Sequence, residues 1–518
     1  MTCLHPFLRL LKVSSLGLLY LTVFSTSSSA KRLHVPEPVL EKALADTLGV
    51  EIQELTEELV AQKLRYLDAS NRQLRDLTGL EVAHNLEVLV LKQNLIEDIT
   101  PLAGLPNLTK LDLSGNRISN LSALQGLSLE KMKSELSRLQ LALQSRTLTK
   151  AEKAALVLEL GVVVNRINRG TWSLQAISLS NNRLLGLSGV GHLSSLRYLD
   201  VSANSLIDLE GVGKLRNLIT LNAQSNQLGR IEAYVDVDKD KEFTEGIDQV
   251  KDESGNGKRD TDPLVEIQSL PNLTNLYLYD NLLTNTLSLA NLPALKFLLL
   301  AGNQLDDISN LGDFKSLIRL SLTDNRITNL NGLEGLPKIE HLYLEENLIC
   351  DIRTLSTLPN LLEIRLQRNQ VMSVGPLSSL KNLRVASLTG NFIHDIAPVL
   401  DLKSLKRLSL SSNCIRFDDA EIEKKISKIR SRGCSVFEGK QRPRIVEAEE
   451  LIEALVSRPS SNTFLGGFIR KNNQYDRLID IAEDNEVPVA SKKVNFKNWQ
   501  QNLRRGSFEN LAFDFQGN

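Results

Sequence analysis

The chain has 518 residues, 42% hydrophobic and only 5% aromatic, with 61 Lys and Arg against 62 Asp and Glu and a formal net charge of −1. That balance leaves no global field to steer it onto nucleic acid or an anionic membrane, so nucleic acid is excluded as a partner. Residues 1–30 read as a secretory signal. Arg9 and Lys12 precede a short apolar run from Val13 to Phe24, then STSSSA, with cleavage expected after Ala30. The run is short for a permanent span, an uncleaved anchor being the other reading. No later segment offers a transmembrane candidate, no LPxTG-like signal closes the chain and Cys3 lacks a lipobox. A secreted, periplasmic or cell-surface protein without an integral span after cleavage is expected. Cleavage would leave Cys350, Cys414 and Cys434, an odd number that argues against a complete disulfide framework. Cys414 and Cys434 either pair across the terminal cap or leave Cys434 as a small buried residue of the last strand.

From residue 65 to 415 one phrase, LxxLxLxxNxL, returns on a 22-residue period through about 13 coils. Its Asn slot falls at Asn94, Asn116, Asn182, Asn204, Asn226, Asn281, Asn303, Asn325, Asn347, Asn369, Asn391 and Asn413. Apolar residues keep fixed offsets from it, as do Leu108, Leu111, Leu113, Ile118, Leu121, Leu124 and Leu127 around Asn116. One coil cannot bury that edge alone; stacked coils can. A period of roughly 20 to 29 residues specifies an α/β leucine-rich-repeat solenoid with short parallel strands on its concave face. The Asn amides are expected to turn inward and bond backbone groups of their own and neighbouring coils.

Ahead of the array, the run from Pro36 to Leu80 reads PEPVLEKALADTLGVEIQELTEELVAQKLRYLDASNRQLRDLTGL. It resembles the helical cap and first coil of bacterial internalin-type leucine-rich-repeat proteins. The resemblance implies a proline-flanked helix and a second short helix over 36–64, an exported scaffold, and no particular ligand. Arg72 stands in the first Asn slot, the degeneracy expected of a capping repeat.

Two insertions interrupt the period. Residues 128–172 carry Leu129, Met132, Leu136, Leu139 and Leu143 at helical spacing, then a capping box of Thr149 and Glu152 before a second helix reaching about Ile167. This predicts a helical hairpin, packed on the solenoid flank or serving as a partner-binding arm. The second insertion, 232–266, turns acidic. Asp236, Asp238 and Asp240 alternate as ligands do at positions 1, 3 and 5 of a calcium loop, with Thr244 at position 9; Asp252, Ser254, Asn256, Gly257 and Asp260 form a second such phrase. It resembles the short calcium repeats of exported bacterial proteins. Both copies lack the bidentate Glu, with Ile247 and Pro263 in its place, and the first has Lys241 where Gly belongs. The alternatives are a calcium site and a solvated acidic loop.

Residues 416–437 read as a terminal cap: Asp418 and Glu421 at capping-box spacing, Ile422, Ile426 and Ile429 on one face, Gly433 as terminator, then Cys434 and Val436. Residues 438–518 lose the repeat and read as a partly helical tail. No catalytic phrase emerges, and Gly211, Val212, Gly213 and Lys214 mimic a phosphate loop only as repeat grammar, since Gly189, Val190, Gly191 and His192 hold the same slots.

Strand alternation turns the residues six, four and two before each Asn out of the concave sheet. Small or polar residues such as Ser178, Ser180 and Ser321 are expected there, facing solvent. The coils from Asn281 to Asn369 add Tyr277, Tyr279, Phe297, Leu299, Arg319, His341, Tyr343, Glu345, Glu363 and Arg365, a set rich in the aromatic and Arg anchors of interfaces. The expected function is a non-enzymatic exported scaffold recognising a protein or polysaccharide through that face. The alternative is an intracellular phosphatase-regulating repeat subunit, which should start without a signal. For the acidic insertion, crowded carboxylates repel one another until a cation neutralises them. Chelation should therefore speed limited proteolysis within residues 236–262 and spare the Asn ladder; identical cutting with and without calcium leaves a solvated loop.

Overall fold

The computed structural model describes residues 31–441, apart from 106, 128, 146–147, 170–173, 231–233, 236–248, 251–261 and 290–291. Among them, 14 three-residue strands form one open parallel sheet in strict sequence order, from Tyr66–Asp68 to Ser435–Phe437. The register advances one coil per strand: Leu67 faces Leu89, Leu89 faces Leu111 and Leu298 faces Leu320. Those central leucines are buried, while the residues on either side face the concave surface. A separate antiparallel pair joins Tyr234–Val235 to Gln249–Val250 within the acidic insertion.

The strands are short because each coil turns at a fixed place. Immediately before every ladder Asn the backbone is left-handed, with glycine at Gly115, Gly302 and Gly390 but also Ala203 at φ 52° and Glu346 at φ 56°. The chain then returns over the convex side through short 3₁₀ turns such as Val190–His192 and Gly375–Ser379. Gly189 opens the first of these at φ 101°, where a Cβ would stand 2.6 Å from the Leu121 carbonyl oxygen of the coil before. Close stacking of coils thus explains the phosphate-loop mimicry at 211–214, which is the same turn one coil later.

The leucines merge into one continuous core from Leu33 to Cys434. Along its edge each ladder amide bridges two coils. Asn325 Nδ2 donates to the Leu300 and Leu322 carbonyls at 3.0 Å, and its Oδ1 accepts from Leu305 N–H at 3.0 Å. Asn347 Nδ2 donates in turn to Leu322, so each of these carbonyls serves two consecutive amides.

Both ends are sealed by helices. Helix α1, Pro38–Leu48, buries Leu40, Ala43 and Leu44 against the first coil and ends at Gly49, left-handed at φ 68°. Helix α2, Glu57–Lys63, is capped by Thr56, whose hydroxyl accepts from Leu59 N–H. In the first insertion α3, Leu129–Leu143, packs on α4, Lys150–Arg169, and meets the solenoid at the Ser122–Leu127 turn. Thr149 Oγ1 and Glu152 exchange hydrogen bonds at the start of α4. Leu141 and Val157 remain 71% and 53% exposed on this hairpin.

At the far end α5, Ala420–Ser431, buries Ile426 and Ile429. Its N-cap is Asp419, not the expected Asp418: the helix starts one residue later, Asp419 accepts from Glu421 N–H at 2.9 Å, and Asp418 pairs with Arg416 at 3.6 Å. Cys350, Cys414 and Cys434 are buried and unbridged, with Cys434 just before the last strand.

Replacing Asn325 by Leu should orphan the Leu305 N–H outright while leaving the Leu322 carbonyl its bond to Asn347. One unsatisfied buried donor costs about 1 to 3 kcal/mol, measurable as a fall in unfolding midpoint. Arg326→Ala, at a neighbouring exposed position, should stay within about 0.5 kcal/mol. Equal losses would refute the ladder's role.

Candidate functional site: the concave sheet

The parallel register decides which outward side chains can meet. Phe297 lies beside Arg319, Arg319 beside His341 and His341 beside Glu363; in the second column Ser321 lies beside Tyr343 and Tyr343 beside Arg365. Neighbouring strands are about 4.8 Å apart, so long side chains reach across one or two coils. The result is a linked cluster. The guanidinium carbon of Arg319 stands 5.9 Å from the ring centroids of both Phe297 and Tyr343, and that of Arg365 stands 4.6 Å from Tyr343 on the other side.

Glu363 ties the cluster together. Its carboxylate accepts from Arg365 Nε at 2.7 Å and from the Tyr343 hydroxyl at 3.3 Å, and lies 3.1 Å from His341 Nδ1. Glu345 accepts from Thr323 Oγ1 at 2.7 Å and approaches Arg365 at 3.9 Å. Partial burial acts to raise the Glu363 carboxyl, but the bonds from Arg365 and His341 prevail and hold it below the usual carboxylate range. Burial, then the adjacent Glu363 charge, push the Tyr343 phenol up.

Tyr277 and Tyr279 do not join this cluster. Tyr277 is three strands from Tyr343 in its column, about 14 Å away, with Leu299 and Ser321 between. Tyr279 bonds Gln224, and burial followed by the Asp280 charge raises its phenol. Both belong with Tyr198 and Asp200 toward the middle of the sheet. Ser321, expected in solvent, is only 8% exposed: it is the small member between Leu299 and Tyr343, and Arg319 reaches diagonally past it to the Tyr343 ring. Tyr198, at 39% exposed, and Phe437, at 52%, were not singled out from sequence. Tyr198 occupies the same six-before-Asn slot as Phe297; Phe437, on a strand with no ladder Asn, carries no such signal.

The candidate calcium ligands Asp236, Asp238, Asp240, Asp252, Asn256 and Asp260 lie outside the described residues, as do residues 1–30 and 442–518. Among the described residues no group of three or more His, Cys, Asp or Glu side chains is placed to hold a metal ion, and no helix is long and apolar enough to cross a membrane.

The Glu363 network predicts a pH dependence. A carboxyl lowered on folding contributes stability that is complete above its unfolded value, about 4.3, and is lost as pH falls through its lower folded value. Glu363→Gln should therefore cost about 1 to 2 kcal/mol at pH 7 and progressively less below pH ~4, because wild type then loses the same charge. A gap that stays constant down to pH ~2.5 would show that the network does not depend on the carboxylate.

Residues 84–126 and 315–357 each match the family described as leucine-rich repeats in two copies. No curated protein matches the chain in sequence. In structure it is similar to an internalin, InlF, of Listeria monocytogenes, at 18% identity and a TM-score of 0.54 over 82% of this chain and 95% of that one. It is also similar to a leucine-rich-repeat protein of Leptospira interrogans, at 24% identity and a TM-score of 0.52 over 73% and 85% of the two chains. The repeat matches, the open sheet and these neighbours together identify a leucine-rich-repeat solenoid, similar in fold to an internalin.

Proposed function

We propose that the protein is an exported, non-enzymatic scaffold that holds a protein or polysaccharide ligand on its concave face. The observation that carries this reading is the stacked cluster from Phe297 to Arg365. Two rings and two guanidinium groups are held in place before any ligand arrives, so little side-chain freedom is left to lose on binding. The anchors belong to consecutive strands of a sheet pinned by the Asn ladder, which supports them more firmly than a loop would. Nothing about the cluster resembles a reacting centre: it has no Ser, Cys or Lys nucleophile set against a base, and His341 and Glu363 are engaged with each other. Export rests on the composition of residues 1–30.

Two measurements test the proposal. Mass spectrometry of fractionated cells should find the chain outside the cytoplasm and beginning near Lys31; a cytosolic chain that retains residues 1–30 would sink the export half. A pull-down from cell-surface extracts should identify the ligand, and Tyr343→Ala should weaken its binding roughly 30-fold. Ser178→Ala, on the same sheet outside the cluster, should change nothing. If Tyr343→Ala binds as wild type while deletion of the α3–α4 hairpin abolishes binding, the working surface is the hairpin.

A further inference from the structure

Arg319 differs from Arg365 and Arg368 in its partners. Arg365 is paired with Glu363 and Glu345, and Arg368, one position before its ladder Asn, is paired with Glu346 at 2.8 Å. Among the described residues the Arg319 side chain makes no hydrogen bond and no ion pair, and its Nε is sealed from solvent without an acceptor. Rings from both flanking coils hold it there, Phe297 and Tyr343 each with its centroid 5.9 Å away. A guanidinium flanked by rings, with Nε turned inward, leaves its terminal Nη1 and Nη2 groups free, an end-on pair that receives a carboxylate by two parallel bonds. Four strands further on, in the same slot of its coil, Arg407 is exposed and likewise lacks a partner among the described residues. It lines a hollow of about 340 Å³ whose other walls include the paired Glu363 and Arg365 as well as Ser387, Ser409 and Phe437.

We propose that the C-terminal half of the concave face binds an acidic protein segment in extended form, one carboxylate seated on Arg319 and a second on Arg407. The proposal rests on the concave-face reading above and gives that ligand its chemistry. Four strand spacings of about 4.8 Å set the two cations about 19 Å apart, which an extended chain covers in about six residues. The hollow beside Arg407 leaves room for one bulky ligand side chain against Phe437.

Panning a library of random dodecamer peptides on the full chain tests this. The enriched sequences should carry two acidic residues about six apart and weaken as salt is raised. Arg319→Gln and Arg407→Gln should each weaken them about ten-fold, and together about a hundred-fold, because sites this far apart act additively. Arg368→Gln should leave binding unchanged. Arg319→Gln removes a buried donor that has no acceptor together with two ring contacts, so any fall in its unfolding midpoint should be small; the exposed Arg407→Gln carries the test on its own if it is not. Neutral or basic winners, acidic winners indifferent to both substitutions, or no enrichment would overturn the proposal, as would a single-stranded DNA dodecamer that displaces the acidic peptides through the same arginines. Neutral winners lost with Tyr343→Ala would reject the acidic class and leave the concave-face reading standing. Winners indifferent to Tyr343→Ala as well would remove both.

Discussion

One buried amide per coil carries the constraint on which everything else in this molecule depends. A solenoid coil must turn a corner after only three strand residues, and the corner leaves backbone N–H and C=O groups facing a buried leucine core. The ladder Asn supplies what those groups lack. Its Nδ2 serves a carbonyl of its own coil and one of the coil before, and its Oδ1 serves an N–H of the coil before, as at Asn325 with Leu322, Leu300 and Leu305. Because the bonds cross between coils, the amide fixes spacing and register together, and leucine packing then follows with little freedom. The left-handed residue before each Asn belongs to the same corner. Keeping Ala203 and Glu346 there costs on the order of 1 kcal/mol each, an expense the inter-coil bonds and the stacked core outweigh.

A sheet held this rigidly makes a useful surface. Side chains on neighbouring strands stand at a constant separation, so a cluster assembled from several coils keeps its shape without help from loops. The stack of Phe297, Arg319, Tyr343 and Arg365 shows the consequence. Glu363 satisfies one arginine, a tyrosine and a histidine and leaves the other arginine with its charge uncompensated. The same cluster therefore contains a neutralised, structural half and an unneutralised half, and the second is where a ligand of opposite charge has most to contribute. At the ends and in the first insertion the apolar edges of the array are covered by helices, α1 and α2 before the first coil and α5 after the last. The ladder is continuous across the α3–α4 insertion, where the amide of Asn182 donates to Leu113 as if no residues intervened.

Much of this was legible in the sequence because a 22-residue period is a strong and redundant signal. Repetition names the fold, places each Asn inward and, through strand alternation, says which side chains face the concave side. Tyr277, Phe297, Arg319, Tyr343 and Arg365 could all be placed on one surface by counting back from an Asn. The capping box at Thr149 and Glu152 was equally visible, since its two bonds are local. At the other helix the same local reasoning set the cap one residue early, because Asp418 and Asp419 are adjacent and chemically identical, and only the path of the chain out of the last coil decides which of them precedes the first helical residue.

What counting could not supply was which neighbours touch. Tyr277 and Tyr343 share a column but are separated by two strands, whereas Arg319 and Tyr343 occupy different columns and meet, because a long side chain can cross a coil diagonally when the residue in its way is as small as Ser321. Burial of Ser321, the pairing of Arg365 with Glu363 rather than with solvent, and the missing partner at Arg319 all follow from reach and rotamer in three dimensions. The sequence by itself determined the coil, its register and the face each residue occupies, because those depend on backbone periodicity alone. The tertiary structure decided which charges are neutralised and which are left free, because that depends on side chains from three and four coils competing for the same few ångströms of surface.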